Sequence, residues 1–246
     1  MLEVATGLRG TLDAEFLALG RMTMAQVNEA SAPLELRGPF KTGDSSRFFL
    51  RNVTCGIFAG DHYDVRLRAA EGARAYVSAT SATKVHAMPL GCATIEVRLQ
   101  SSPSATIAYY DGPTILQGDA DFIQRVEIAG ARGIAIYAEV LVLGRLARGE
   151  ALDFRRYRNE LVVHDDAGRE QYVERYELSP SEQRSTLAAA SYPILGKVIV
   201  AGAVDLSALG GLELDDDGLF AGCDVLPSNA GLIVRAAAQT LGPVSS

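Results

Sequence analysis

The 246-residue chain has no tryptophan, only three cysteines and three histidines, no cluster of lysine and arginine, and no apolar run of membrane-spanning length. Each absence removes a class of function. Nucleic acids and anionic membranes select a basic surface, whereas here 23 Lys+Arg stand against 30 Asp+Glu, for a net charge of −7. A helical membrane span needs about 18 or more consecutive apolar residues, and none is present. The start, MLEVATGLRGTLDAEF, lacks the basic and apolar regions of a secretory signal, so the chain is expected in the cytoplasm. Cys55, Cys92 and Cys223 are odd in number and contain no CxxC, which fits reduced thiols better than disulfides or structural zinc. Long disordered tracts are missing as well: 48% hydrophobic and 22% charged residues describe a soluble composition, and the length suits one globular unit with a substantial core.

What the chain does contain is short alternating segments parted by turns, the signature of strands. Tyr63, Val65, Leu67 and Ala69 alternate with Asp64, Arg66 and Arg68. After the turn AEGARA, Ala75, Val77 and Ala79 continue the pattern, as do Ile95, Val97 and Leu99. Turns recur at roughly ten to twelve residues, the spacing of sandwiches, barrels and coiled β-layers. NELVVHD and REQYVERYEL flank a D-A-G hairpin turn, and the end of the chain reads as a turn and a final strand. SPSEQRSTLAAAS (179–191) carries a serine N-cap signal for one short helix, and DLSALGG (205–211) suggests another. The fold class expected is mainly β, with layered antiparallel or β-helix-like sheets and about two short α-helices toward the C-terminus.

Several chemistries fail on inspection. Asp61-His62 could supply an acid and a base for hydrolysis, but no G-x-S-x-G elbow accompanies them, and His164 sits beside a turn. GRLARGE has the G-x-x-x-x-G spacing of a phosphate loop, yet Glu150 stands where the lysine would be and would repel phosphate. LDDDGLF lacks the alternating ligands and distal glutamate of a calcium loop. No His/Cys spacing suits a closed metal site, so no tightly bound cofactor or metal is expected.

Glu139 is the anomaly. It lies in GIAIYAEVLVLG, a strand apolar on both faces, where an isolated carboxylate costs several kcal/mol to desolvate. An ion pair with Arg145 or another base, a raised pKa, or an internal polar cavity would each resolve the conflict.

The order of motifs then carries more than any one of them. APLELRGPF at 32–40, CGIFAGDHYDVRLRAAEGARAYVSATSATKV at 55–85, IAYYDGPTIL at 107–116 and AEVLVLGRLARGEAL at 138–152 follow in succession. This series resembles the urease accessory protein family called UreD, or UreH, collinearly over about residues 8–237 of a single domain spanning 1–246. GRLARGE, with Gly144, Arg145, Gly149 and Glu150, is its most specific piece; AGD, with Gly60 and Asp61, followed by ATKV with Lys84, is next.

The resemblance implies a mainly β, β-helix-like, non-enzymatic scaffold or chaperone. It would assemble with UreF and the GTPase UreG on the urease apoprotein during nickel insertion, a dimer of the accessory complex being among the assemblies allowed. It also implies an internal water-filled passage for nickel in transit, lined by Asp61, Thr83, Glu139 and Glu150, with His62 as a nearby imidazole. A cation crossing a protein needs acids and hydroxyls too sparse to trap it, and nickel accepts oxygen and imidazole ligands. The chain departs from the family pattern at Cys55, His62, His86 and Asp111, lacks the usual tryptophan, and shows no counterpart of the family's C-terminal helix and tail before Ser246. Two competing readings predict different structures: a β-rich hydrolase needs a nucleophile converging on Asp61 and His62, and a purely structural β-protein needs Glu139 satisfied by a salt bridge and nothing else.

Overall fold

The computed structural model describes residues 7–43, 45–130, 132–180, 191–202, 214–216 and 218–240. Its alternating segments are strands divided between two facing sheets. β1 (Arg9–Leu19) and β2 (Met22–Ala30) form a hairpin at the edge of the first sheet, and β3 (Leu34–Thr42) and β4 (Ser45–Asn52) one at the edge of the second. From there the chain switches sheets at almost every turn. β5 (His62–Ala69), β8 (Ala93–Ser101), β10 (Asp121–Ala129) and β12 (Arg156–His164) join the first sheet. β6 (Arg74–Ala79), the short β7 (Thr83–Val85), β9 (Thr106–Leu116) and β11 (Ile134–Val142) join the second. Pairing within each series is parallel, so the middle of the molecule is a two-layered coil.

The coil ends in antiparallel pairing. β13 (Glu170–Leu178) folds back on β12 through the D-A-G turn anticipated from sequence. β14 (Ile194–Gly202) pairs with β11, and β17 (Gly231–Ala238), β16 (Leu219–Val225) and β15 (Leu214–Asp216) extend that sheet outward. The expected layered, β-helix-like class is what forms. Both expected helices, at 179–191 and 205–211, centre on residues outside those described; the helical turns described in full are two three-residue 3-10 turns, Leu146–Arg148 and Pro227–Asn229. No described helix is long and apolar enough to cross a membrane.

Why these residues build this shape follows from the period of two: each strand buries one face against the opposite sheet. Parallel register then stacks the inward residues into rungs. Val65, Val97, Val126 and Leu161 form one, and Leu67, Leu99, Ile128 and Val163 the next, nearly all inaccessible to solvent. Each fully buried aliphatic side chain contributes about 1.5–3 kcal/mol. Outward positions of the first sheet carry cross-strand ion pairs such as Arg98–Glu127 (3.1 Å) and Arg125–Glu96 (3.0 Å). Exposed pairs of this kind are worth at most about 1 kcal/mol each, and they keep the outer face wet.

One rung breaks the apolar rule: Tyr63 and Ile95 are followed in register by Gln124 and Asn159, both buried.

Candidate functional site

The polar rung faces Glu139. On β11, alternation points Tyr137 and Glu139 inward, and Glu139 sits at a β-bulge where Ala138 pairs with Tyr110 but Val140 pairs with Pro113. Two residues of β9, Asp111 and Gly112, therefore stand opposite one of β11. The bulge keeps Asp111 inward, and Gly112 accommodates it with φ +75°. Across the antiparallel pair, Lys197 of β14 lies directly opposite Glu139.

These side chains close a ring. The Tyr137 hydroxyl donates to Glu139 Oε2 (2.8 Å), and Lys197 Nζ donates to Glu139 Oε1 (2.9 Å) and to Asn159 Oδ1 (3.0 Å). Asn159 Nδ2 donates to the Tyr157 hydroxyl (3.0 Å), which donates to Gln124 Oε1 (2.7 Å); Gln124 Nε2 completes the circuit by donating to Tyr137. All six side chains are buried. The partner of Glu139 is thus Lys197; Arg145 is engaged elsewhere. Removing one member of a buried pair costs about 3–5 kcal/mol, because the other charge is left without compensation.

The ring has a branch on each side. Gln124 Nε2 also donates to Asp111 Oδ2 (3.2 Å), and the Tyr109 hydroxyl donates to Asp111 Oδ1 (2.6 Å). Asp111 borders a cavity of about 150 Å³ walled by Asn52, Thr54, Tyr63, Ser81, Thr83 and Lys84, among others. On the far side Lys197 reaches Glu174 Oε2 (3.3 Å), while Arg235 holds Glu174 Oε1 (3.2 Å). There a second cavity of about 410 Å³ is bordered by Glu139, Glu174, Lys197, Gly222 and Arg235. A continuous file of polar side chains thus joins two cavities through the space between the sheets.

Burial pushes the Asp111 carboxyl up to about 6 despite the Tyr109 hydroxyl, and the charge of Glu139 adds to the rise. Burial, with the nearby carboxylates, drives the hydroxyls of Tyr109, Tyr137 and Tyr157 well above their ordinary value, so they remain protonated donors. Among the described residues no group of three or more His, Cys, Asp or Glu could hold a metal ion. Such a file can solvate a cation in passing; it offers no closed site to trap one.

The other candidate residues take separate places. Asp61 is buried and fully engaged: Oδ1 accepts from the Leu8 N–H (2.8 Å), and Oδ2 from the Phe58 N–H (2.9 Å) and the Tyr63 hydroxyl (3.0 Å). Tyr63 reaches the first cavity, so Asp61 borders the file through one phenol, whose own pKa burial and Asp61 raise to about 12. Gly60 anchors the same loop by donating to the Cys92 carbonyl (2.9 Å). His62 begins β5 and is half-buried, while the Asp61 oxygens are taken by Leu8, Phe58 and Tyr63. Thr83 and Lys84, paired with Thr114 and Ile115 of β9, line the first cavity. His86 stacks on Phe58 at 4.5 Å, with Nε2 at 3.4 Å from the Cys55 carbonyl.

GRLARGE is a clasp. It ends β11 in a 3-10 turn, with Arg145 Nε donating to Glu150 Oε2 (2.8 Å) and the Gly118 N–H to Glu150 Oε1 (2.8 Å). Arg145 holds the Glu150 carboxyl below its ordinary value. Gly144 has φ +138°, and a Cβ there would lie 2.3 Å from the Glu150 carbonyl oxygen; Gly149 closes the turn in the left-handed region. Glu150 lines neither of the two cavities.

A family model described as "UreD urease accessory protein" matches residues 8–246. The chain belongs to the UreD family. Among curated relatives, the urease accessory protein UreD of Natronomonas pharaonis is 30% identical over 93% of this chain and 80% of its own length. That of Haloarcula marismortui is 30% identical over 94% and 80%, and UreD 1 of Methylorubrum extorquens is 28% identical over 98% and 85%. Of the residues expected from sequence, Glu139 and Thr83 lie on the polar file, which also contains Asp111, Gln124, Asn159, Glu174 and Lys197. A signal existed: Tyr109-x-Asp111, Tyr137-x-Glu139 and Tyr157-x-Asn159 repeat a tyrosine two residues before a polar side chain, on three strands that place both inward.

Proposed function

We propose that the chain acts in urease maturation as a non-enzymatic cytoplasmic scaffold that assembles with UreF and UreG on the urease apoprotein, while Ni²⁺ in transit follows the polar file between its sheets. Membership of the UreD family supports the maturation role. The single observation that supports transit is the file itself: from Thr83 and Asp111 in one cavity, through Gln124, Tyr137 and Glu139, to Glu174 in the other, each step is a hydrogen bond or shared wall. Carboxylates, carboxamides and phenols are oxygen donors that Ni²⁺ accepts.

The reading of Glu139 as a purely structural residue is less well supported, since its carboxylate takes a phenol as well as Lys197 and also forms part of a cavity wall. The test is Glu139→Gln, which keeps the shape of the side chain. With urease and the other accessory proteins co-expressed, the variant is expected to stay folded and complexed while urease activity and nickel content fall several-fold. Full nickel loading by a folded E139Q chain would refute transit past Glu139.

A further inference from the structure

Lys197 lies in the buried ring itself and does not suit a cation's route. Its ammonium lies among three oxygens, Glu139 Oε1 at 2.9 Å, Asn159 Oδ1 at 3.0 Å and Glu174 Oε2 at 3.3 Å, which use all three of its N–H donors. The Tyr176 ring lies 5.5 Å from the nitrogen, and the residue is 6% exposed. The ammonium thus holds the position, between two carboxylates and a carboxamide, that a cation in the file would occupy. A divalent ion reaching Glu139 would meet a carboxylate already neutralised and a like charge at contact distance.

The surroundings give this side chain somewhere to go. The second cavity, of about 410 Å³, opens beside Lys197 and is bordered by the small residues Gly196, Gly222 and Ala236. At Gly222 even an added Cβ would find nothing within 4 Å. Glu174 stands on the cavity side and is more exposed than Glu139. The ammonium can therefore leave Glu139 and Asn159 and still keep a carboxylate partner. Lysine suits such movement, being a point charge on a flexible four-carbon stem.

We infer that Lys197 is a resident cation gate: its ammonium fills the oxygen site formed by Glu139 and Asn159, and a divalent cation occupies that site only when the side chain swings toward Glu174 and the second cavity. The inference rests on the transit reading and adds to it a named obstacle, with a site that is open when the lysine charge is gone.

The test is Ni²⁺ binding to the purified full chain by calorimetry, with Lys197→Met, Lys197→Arg and the double variant Lys197→Met/Glu139→Gln. K197M is expected to bind one Ni²⁺ at least tenfold more tightly than wild type. K197R, which keeps a cation in place, should gain nothing, and the double variant should lose the gain, separating this site from surface histidines. A folded K197M chain that binds Ni²⁺ no better than wild type overturns the gate. A second measurement does not depend on that variant folding. In wild-type chain carrying ¹³C-labelled lysine, millimolar Ni²⁺ should broaden the Lys197 ε-methylene signal, assigned by its loss in K197R; an unchanged signal also overturns the gate. If K197M gains the ion while E139Q leaves urease activation intact, the gated site stands and transit fails. If K197M gains nothing while E139Q abolishes activation, transit stands and the gate falls.

Discussion

Replacing Asp111 with asparagine should stabilise the chain above pH 6 and flatten its stability between pH 4 and 6. The carboxyl is buried beside Glu139, Tyr109 and Gln124, and its pKa rises from 3.8 to about 6. The folded chain therefore holds this proton more tightly than the unfolded one. Below pH 4 both states are protonated and burial of Asp111 brings no ionisation penalty. As the pH rises toward 6 the unfolded chain ionises first, and folding loses about 1.4 kcal/mol per pH unit. The loss is complete above pH 6, at about 3 kcal/mol by the same conversion. Asparagine places a neutral amide in the same space but forfeits one acceptor, worth about 1 kcal/mol. The net gain for D111N at pH 7 is then about 2 kcal/mol, shrinking to nothing or slightly below at pH 4. Urea unfolding of both chains from pH 4 to 8 would measure it, followed by tyrosine fluorescence, which the absence of tryptophan leaves unobscured. Parallel stability profiles for the two chains would refute a buried Asp111 with a raised pKa.

Leu99→Ala removes a fully buried member of the Leu67–Leu99–Ile128–Val163 rung and should lower unfolding free energy by about 2–5 kcal/mol; a loss under about 1 kcal/mol would mean the coil interior relaxes freely. Asp61→Ala should destabilise by about 1–3 kcal/mol for each orphaned donor among the Leu8 and Phe58 N–H groups. Any fall in urease activation by D61A should therefore track its lowered melting temperature. Impaired activation at an unchanged melting temperature would show that the carboxylate acts on more than the loop.

How much was legible in sequence depended on whether the deciding contact was local. Alternation at Tyr63–Ala69 and Ile95–Leu99 fixes strands because the period of two is a property of neighbours. Which strand lies beside which is not: Val97 meets Val65 and Val126, each about thirty residues away, through pairing that no local pattern encodes. The clasp of GRLARGE is local by contrast, with Arg145 and Glu150 paired and Gly149 capping the turn within seven residues. Glu139 was legible as a conflict and illegible as a solution, since Lys197 sits in a strand whose pairing with β11 skips two intervening strands. Glu150, grouped with Glu139 by motif, lies in the clasp because Arg145 and Gly118 claim both its oxygens.

The ring also imposes an order on synthesis. Gln124, Tyr137, Glu139, Tyr157 and Asn159 leave the ribosome well before Lys197, which arrives on β14. Until then the inward carboxylate of Glu139 has its phenol donor but lacks the ammonium that neutralises it, and burying it alone costs several kcal/mol. The seam between β11 and its later partners therefore favours staying open to water while the chain is unfinished. A truncated product ending before residue 197 would carry that carboxylate without its ammonium partner.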